Sequence, residues 1–409
     1  MRKLLLAIAL LTACKSKPEA PAKSSVLIGA TLPLTGAEAR IGGFYKEGYE
    51  LAFELQNAKG GLSLGGKMVP ATLVLQDDTS TQATAVSLAD QLINSGKVDA
   101  LLGTYSSHLV EAQSAIAEEN RIPYVNGGGG ATEIYQRNYK YLFGLMAPVE
   151  LLGEALMGWI DDQQAQGKLP KPVKIALVWE NTAHGKDFKK GVTGFAGKHP
   201  GQYEVVVDES FELSAKDFSA LLNKVKASNA DVFLADAHLP DYITMHRQYV
   251  TAGLCHQVVS YGARGSEKQA AEALGAKNVE YVLSAVWWNR QLGTKGLTKD
   301  FVDAFQAKFK RAPEWYQALA YETARALFTA MEQAGTADRE KVREKLASLS
   351  GDSILPEGKL SFPANQGQQA RYAFVVQQNQ PDGTSPIVWP KSVANAAGVA
   401  PNPDCAAAK

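Results

Sequence analysis

Short apolar runs recur along this chain, each followed by a turn and then a helix-period pattern. That rhythm is the strongest limit on its fold. Val26–Leu32 is β-branched and apolar and predicts a buried strand, after which Pro33-Leu-Thr-Gly36 turns the chain. Phe44, Tyr49 and Leu55 mark a helix to about Asn57, and Lys59-Gly60-Gly61 stops it. Strands are expected at 69–76, 98–102 and 122–125, with helices at 83–95 and 109–120. After Pro148 the pattern restarts: helix 151–166, strand 174–179, helix 187–198, then strands 203–207, 231–235 and 257–261 with helices between them. A strand at 279–286, long helices at 298–310 and 316–333, and short β segments after Gly351 complete it. Strands alternating with helices of this length predict an α/β fold of two parallel-sheet units with right-handed crossovers.

Length agrees with two units, since 409 residues are too many for one small core. A formal net charge of zero excludes the basic field that nucleic-acid binding needs. The N-terminus points to export. Arg2 and Lys3 precede Leu4-Leu-Leu-Ala-Ile-Ala-Leu-Leu11, an apolar run too short to span a bilayer. Leu11-Thr-Ala-Cys14 resembles a bacterial lipobox, which implies cleavage before Cys14 and a lipid anchor on that cysteine. Lys15 favours the outer membrane in a Gram-negative cell. Residues 14–25 are polar and proline-bearing and read as a tether. Cys255 and Cys405 can pair in such a compartment, but the sequence does not bring them together. Cysteines and histidines at these spacings form no zinc motif, and no cofactor motif stands out.

The motif evidence centres on Gly103–Gln113. A strand ends at Gly103, two hydroxyls (Ser106, Ser107) follow, and a helix begins. One serine is expected as N-cap, with the helix's first N–H groups pointing into the turn, where anions bind. Gly127–Gly130 follows the next strand, and its glycines allow positive φ or close backbone approach. Two such loops on neighbouring strands mark a ligand site at the carboxyl edge of a sheet. Gly61-Leu-Ser-Leu-Gly-Gly-Lys-Met68 nearly matches a phosphate-binding loop, but Met68 replaces the Mg²⁺-binding hydroxyl and a strand follows, so a hairpin is expected. Ser107 beside His108 has no nucleophile elbow around it, and no enzyme chemistry is expected. His184 and His238 follow strand ends in the second unit, each a surface residue or a ligand contact. Arg264, in Tyr261-Gly-Ala-Arg-Gly265, can grip a carboxylate or face solvent. Trp287-Trp288 packs in the core or walls the site.

From about Val26 to Val388 the chain resembles the branched-chain amino-acid (Leu/Ile/Val) binding family of type I periplasmic solute-binding proteins. The resemblance rests on Ile28-Gly-Ala-Thr-Leu-Pro-Leu-Thr-Gly36, Asn57-Ala-Lys-Gly-Gly-Leu62, Asp77-Asp78-Thr79, Gly103 to Ser107, Lys216-Asp-Phe-Ser219 and Ala320-Tyr-Glu-Thr-Ala324, in that order and spacing. It implies two doubly wound parallel-sheet lobes joined by a three-crossover hinge, with crossovers near 145–149, 281–285 and 355–360. The implied division is a leader at 1–13, the tether at 14–25, lobe 1 at 26–147 plus 282–356, lobe 2 at 148–281 plus 357–391, and a loose tail at 392–409. The implied site takes Tyr105, Ser106, Ser107, Gly130, Ala131 and Thr132 from lobe 1, and His184, His238 and Arg264 from lobe 2. Where the family has an acid for the ligand's ammonium, this chain has Gly262, Ala263 and Arg264, and Ile41 replaces a tyrosine over the site. Those departures suit a carboxylate without an amino group, aromatic or dicarboxylic; if Asp236 supplies the charge, an amino acid fits. The implied role is a monomeric, lipid-anchored substrate-binding protein for an ABC permease, with no cofactor. A sensory module of the same fold is the alternative.

Overall fold

The computed structural model describes residues 24–293 and 295–406. The leader, Cys14 and all of the tether except Ser24 and Ser25 lie outside them.

The first sheet is built from β1 (Val26–Leu32), α1 (Ala39–Ala58), the hairpin β2–β3 (Leu62–Leu64, Lys67–Val69), β4 (Ala71–Asp77), α2 (Gln82–Asn94), β5 (Ala100–Leu102), α3 (Ser107–Glu119), β6 (Tyr124–Asn126), the single turn α4 (Thr132–Tyr135) and β7 (Leu142–Gly144). Its order is β4-β1-β5-β6-β7, parallel throughout. The second sheet uses α5 (Glu150–Ala165), β8 (Val173–Glu180), α6 (Ala183–Lys198), β9 (Tyr203–Phe211), α7 (Ser219–Ala227), β10 (Val232–Asp236), α8 (Leu239–Thr251), β11 (Val258–Tyr261), α9 (Lys268–Leu274) and β12 (Leu283–Val286). Then come α10 (Gly296–Phe309), α11 (Trp315–Ala334), α12 (Arg339–Ala347), the hairpin β13–β14 (Ser350–Asp352, Lys359–Ser361), β15 (Val375–Gln378), β16 (Ile387–Trp389) and α13 (Pro403–Ala406). The second sheet's order is β16-β15-β12-β11-β10-β8-β9, parallel from β9 to β12 and antiparallel at β15 and β16. Central strands such as β5 and β10 are buried at every position because helices cover both faces. The hairpin stands where the near-match to a phosphate loop is.

Two boundaries differ from expectation. β12 pairs with β11 and β15, so 283–286 belongs to the second lobe and the chain recrosses at Trp287 and Trp288. An apolar run reveals that it is a strand, not which sheet it joins. Residues 357–371 stay with the first lobe: β14 pairs with β13, Phe362 meets Phe143, and Gly144 and Ala370 share a backbone hydrogen bond. The third crossover therefore falls near Tyr372 to Phe374. The crossovers pack together, with Trp287 Nε1 donating to Ala147 O (2.8 Å) and the Trp287 and Phe374 rings 4.9 Å apart. A continuous apolar cluster runs through this seam into both lobes.

The C-terminal segment is not loose. Gln378 and Val399 exchange hydrogen bonds, Asn402 N donates to Gln257 O, and Cys405 is disulfide-bonded to Cys255 across 150 residues. Its Ala- and Pro-rich composition gave no sign of these long-range partners.

Candidate functional site

Strand ends from both lobes converge on a cavity of about 240 Å³. In the first lobe β5 ends at Leu102, and Gly103 to Ser106 lead into α3. Leu109 N and Val110 N donate to Ser106 O, so the Ser107 and His108 amides belong to the helix head, which the helix itself leaves unpaired. Ser106 sits at the N-cap, but its hydroxyl meets His108 Nδ1 (2.9 Å) rather than a backbone N–H. His108 is exposed, as a solvated first-turn residue is, and also edges the cavity. Ser107 Oγ accepts from Gly130 N (3.2 Å) and Ala131 N (3.3 Å), clamping the glycine loop to α3.

That clamp settles where the loop faces. Gly130 O accepts from Val149 N and Gln369 Nε2 at the hinge, Thr132 N donates to Asp187 Oδ2 across the lobes (2.5 Å), and Gly128 edges the cavity. Gly130, Ala131 and Thr132 lie beside the cavity rather than on it, between Gly128 and Glu133, which both line it. None of the four glycines has positive φ; they are required by crowding. A methyl group at Gly128 would overlap the Thr104 carbonyl.

The second lobe presents charged side chains at three strand ends. Glu180 closes β8, and Thr182 both caps α6 and donates to Glu180 Oε1 (2.8 Å). Glu180 Oε2 accepts from His238 Nδ1 (2.6 Å), with His238 heading α8. Burial opposes charge on both, but each opposite charge outweighs it: the Glu180 carboxyl is held below its ordinary value and the His238 imidazole above its own. His184 Nδ1 lies 2.8 Å from Asp236 Oδ2 and 3.9 Å from Glu180 Oε1. Asp236 thus holds His184 and does not itself line the cavity. Gly262, at φ +56°, makes room for it, since a side chain there would meet Asp236 Oδ1.

Arg264 is buried, with its guanidinium over Trp315 (5.3 Å) and Tyr316 (5.5 Å). Its Nη2 donates to the Tyr105 hydroxyl of the other lobe, and Nε lies 3.5 Å from Glu267 Oε1. Among the described residues Nη1 has no hydrogen-bond partner. Glu267 Oε1 also accepts from Tyr316 OH (2.6 Å), and Oε2 is unpartnered among the described residues. Burial pushes the Glu267 carboxyl up to about 7 despite Arg264. Behind Trp315 a larger cavity of about 440 Å³ faces Glu267 and the second crossover, but neither the helix head nor the histidines reach it.

Of the expected residues, Tyr105, Ser106, Ser107, His184, His238 and Arg264 surround one cavity. Trp287 joins them as the aromatic wall that the doubled tryptophan offered, and Glu180 and Trp315 join without having been singled out as ligand contacts. The strand end Trp179-Glu180 was a signal for Glu180. Trp287 and Trp288 are both buried, and Trp287 also walls the cavity. Ile41 is buried in α1, and the aromatic cover comes from Tyr105, packed between Tyr45 and Tyr316.

Two parallel sheets facing each other across a cleft, their carboxyl edges on both walls and three crossovers behind, define a two-lobed ligand-binding fold. The chain belongs to the periplasmic binding protein family, whose model matches residues 25–384. It is 26% identical over 410 residues to a Leu/Ile/Val-binding protein homolog 8 of Brucella suis biovar 1, spanning 96% of this chain and 98% of that one. Among solved structures it is similar to a leucine binding protein, LivK, of Thermotoga maritima (TM-score 0.77, 22% identity, 88% of this chain and 97% of that one). It is also similar to a solute binding protein of an R. palustris ABC transporter in complex with benzoate (TM-score 0.74, 22% identity, 92% and 98%). At these identities the solved structures speak for the fold.

Proposed function

We propose that this chain is the extracytoplasmic substrate-binding component of an ABC uptake system and closes on a small carboxylate. The observation that carries this is Arg264: a buried guanidinium on the wall of the cavity that the head of α3 also lines, with Nη1 unpartnered among the described residues. A carboxylate between them satisfies both, with the guanidinium donating and the helix head adding its dipole. Relatives named for leucine, for Leu/Ile/Val and for benzoate support a carboxylate-bearing ligand. The role needs affinity and closure and no bond-making chemistry.

The ligand is a carboxylic acid without a free amino group, aromatic or dicarboxylic. Of the acids nearest the histidines, Glu180 on the cavity wall is engaged by His238, and Asp236 behind it by His184, so neither is a ready partner for an ammonium. Trp287, Trp315 and Tyr105 supply an aromatic wall. The leader at 1–13 and lipidation of Cys14 place the monomeric protein on a membrane surface, the outer one by Lys15, delivering to a permease. The test is calorimetry with an amino acid and its deaminated keto analogue. Tight binding of the keto acid is expected; tight binding of the amino acid alone would restore the branched-chain reading. A screen of carboxylates at about a hundred times Kd should raise stability by about 2.7 kcal/mol. No shift from any of them removes the carboxylate reading.

A further inference from the structure

We propose that Glu180, His184 and Asp236 form a binding site for a divalent transition cation whose open coordination position faces the cleft. The three side chains offer two carboxylate oxygens and one imidazole nitrogen, all within 4.8 Å of one another. In a tetrahedral site with bonds of about 2.0–2.2 Å, donors stand roughly 3.3 Å apart. His184 Nδ1 is 2.8 Å from Asp236 Oδ2 and 3.9 Å from Glu180 Oε1, on either side of that spacing, and side-chain rotations that even these distances out seat an ion.

Three further features favour an ion here. Both carboxylates are almost fully buried, at 1% and 2% exposure, and two buried negative charges need positive charge close by. Glu180 is also braced as metal ligands usually are, by Thr182 and His238. Finally, Glu180 and His184 line the 240 Å³ cavity, so a fourth position opens toward the bound molecule. Three protein donors and one open position are the arrangement in which zinc takes an exogenous ligand. The mixed nitrogen and oxygen donors select zinc-like cations over calcium or magnesium. A carboxylate filling that position would meet a cation where it otherwise meets two acids; this last step rests on the carboxylate reading above. Sequence spacing hides the site, because Asp236 comes from another strand 52 residues after His184.

The test uses the full chain, stripped with a chelator and titrated at neutral pH. Zinc is expected to bind once per chain by calorimetry, and calcium not to compete. Cobalt is expected to give the absorption of a tetrahedral nitrogen–oxygen site with no thiolate charge-transfer band, which separates it from Cys14, the one cysteine outside the disulfide. His184→Ala and Asp236→Asn should each weaken zinc by at least about 100-fold, while His199→Ala at the far end of α6 leaves it unchanged. Thermal unfolding checks that the metal-free variants are folded, and Glu180→Gln gives a third, near-isosteric probe. Zinc ignored by the wild type, or bound equally by all three ligand variants, overturns the site. If carboxylates bind metal-free protein and zinc does not, the metal falls and the transport reading stands. If zinc binds through these residues and no carboxylate binds either form, the metal stands and the carboxylate reading falls.

Discussion

The two walls of the cleft are made differently. The first-lobe wall is centred on backbone and hydroxyl groups, the head of α3, Ser106, Ser107 and Gly128, with Tyr105, His108, Glu111, Glu133 and Met146 also lining it. Its precision comes from crowding and from one clamp, Ser107 Oγ on the Gly130 and Ala131 amides. The second-lobe wall is ionic: Glu180 with His238, Asp236 with His184, Arg264 with Glu267. A helix head accepts almost any anion, so the first wall supplies general affinity. Buried charges must be matched one by one, so the second wall decides which ligand is admitted.

If that division holds, the largest effect belongs to Arg264. Arg264→Ala should cost roughly 10- to 100-fold in carboxylate affinity by calorimetry, the loss of hydrogen bonds to a charged group. It should also cost up to about 3–5 kcal/mol of stability at alkaline pH, because Glu267 loses its countercharge and its buried carboxyl, which Arg264 holds down to about 7, moves higher still. As pH falls the stability cost should shrink, since Glu267 is then protonated. Unchanged affinity would move the ligand's acid group elsewhere.

Glu267 tests the same wall through pH. Its carboxyl titrates near 7 in the fold against an ordinary value of 4.5. The folded state therefore binds the proton more tightly, and stability linked to it is fully present below about 4.5 and lost as pH rises through 7. Glu267→Gln should remove that decline, which amounts to a few kcal/mol at most by the linkage relation, as read by chemical denaturation at pH 5 and pH 8. An identical slope in wild type and variant would show that the pair does not titrate there.

The first wall should respond through shape. Gly128→Ala should destabilise by about 1–3 kcal/mol, because the new methyl overlaps the Thr104 carbonyl. The smallest effect is expected for Ser107→Ala, about 1–2 kcal/mol from two buried amides losing their acceptor. Its affinity loss should be similar for different carboxylates, whereas changes on the second wall should reorder them. Reordering by Ser107→Ala would erase the contrast between the walls.

Much of this was legible in the chain itself. Val26–Leu32, Val232–Asp236 and their neighbours announce buried parallel strands, since a strand covered on both faces must be apolar along its length. Gly103 to Ser107, ending one such strand and opening a helix, marks the ligand edge of the sheet, and Arg264 stands out in its glycine-flanked loop. Pairing was not legible. Sequence could not show that β12 joins the second sheet, that Asp236 faces His184 rather than the ligand, or that the C-terminal segment is fastened by Gln378 and Cys255. Local pattern reports how a segment buries its own surface. Which distant segment meets it is decided by packing, and the partners of a buried charge exist only once the two lobes are built.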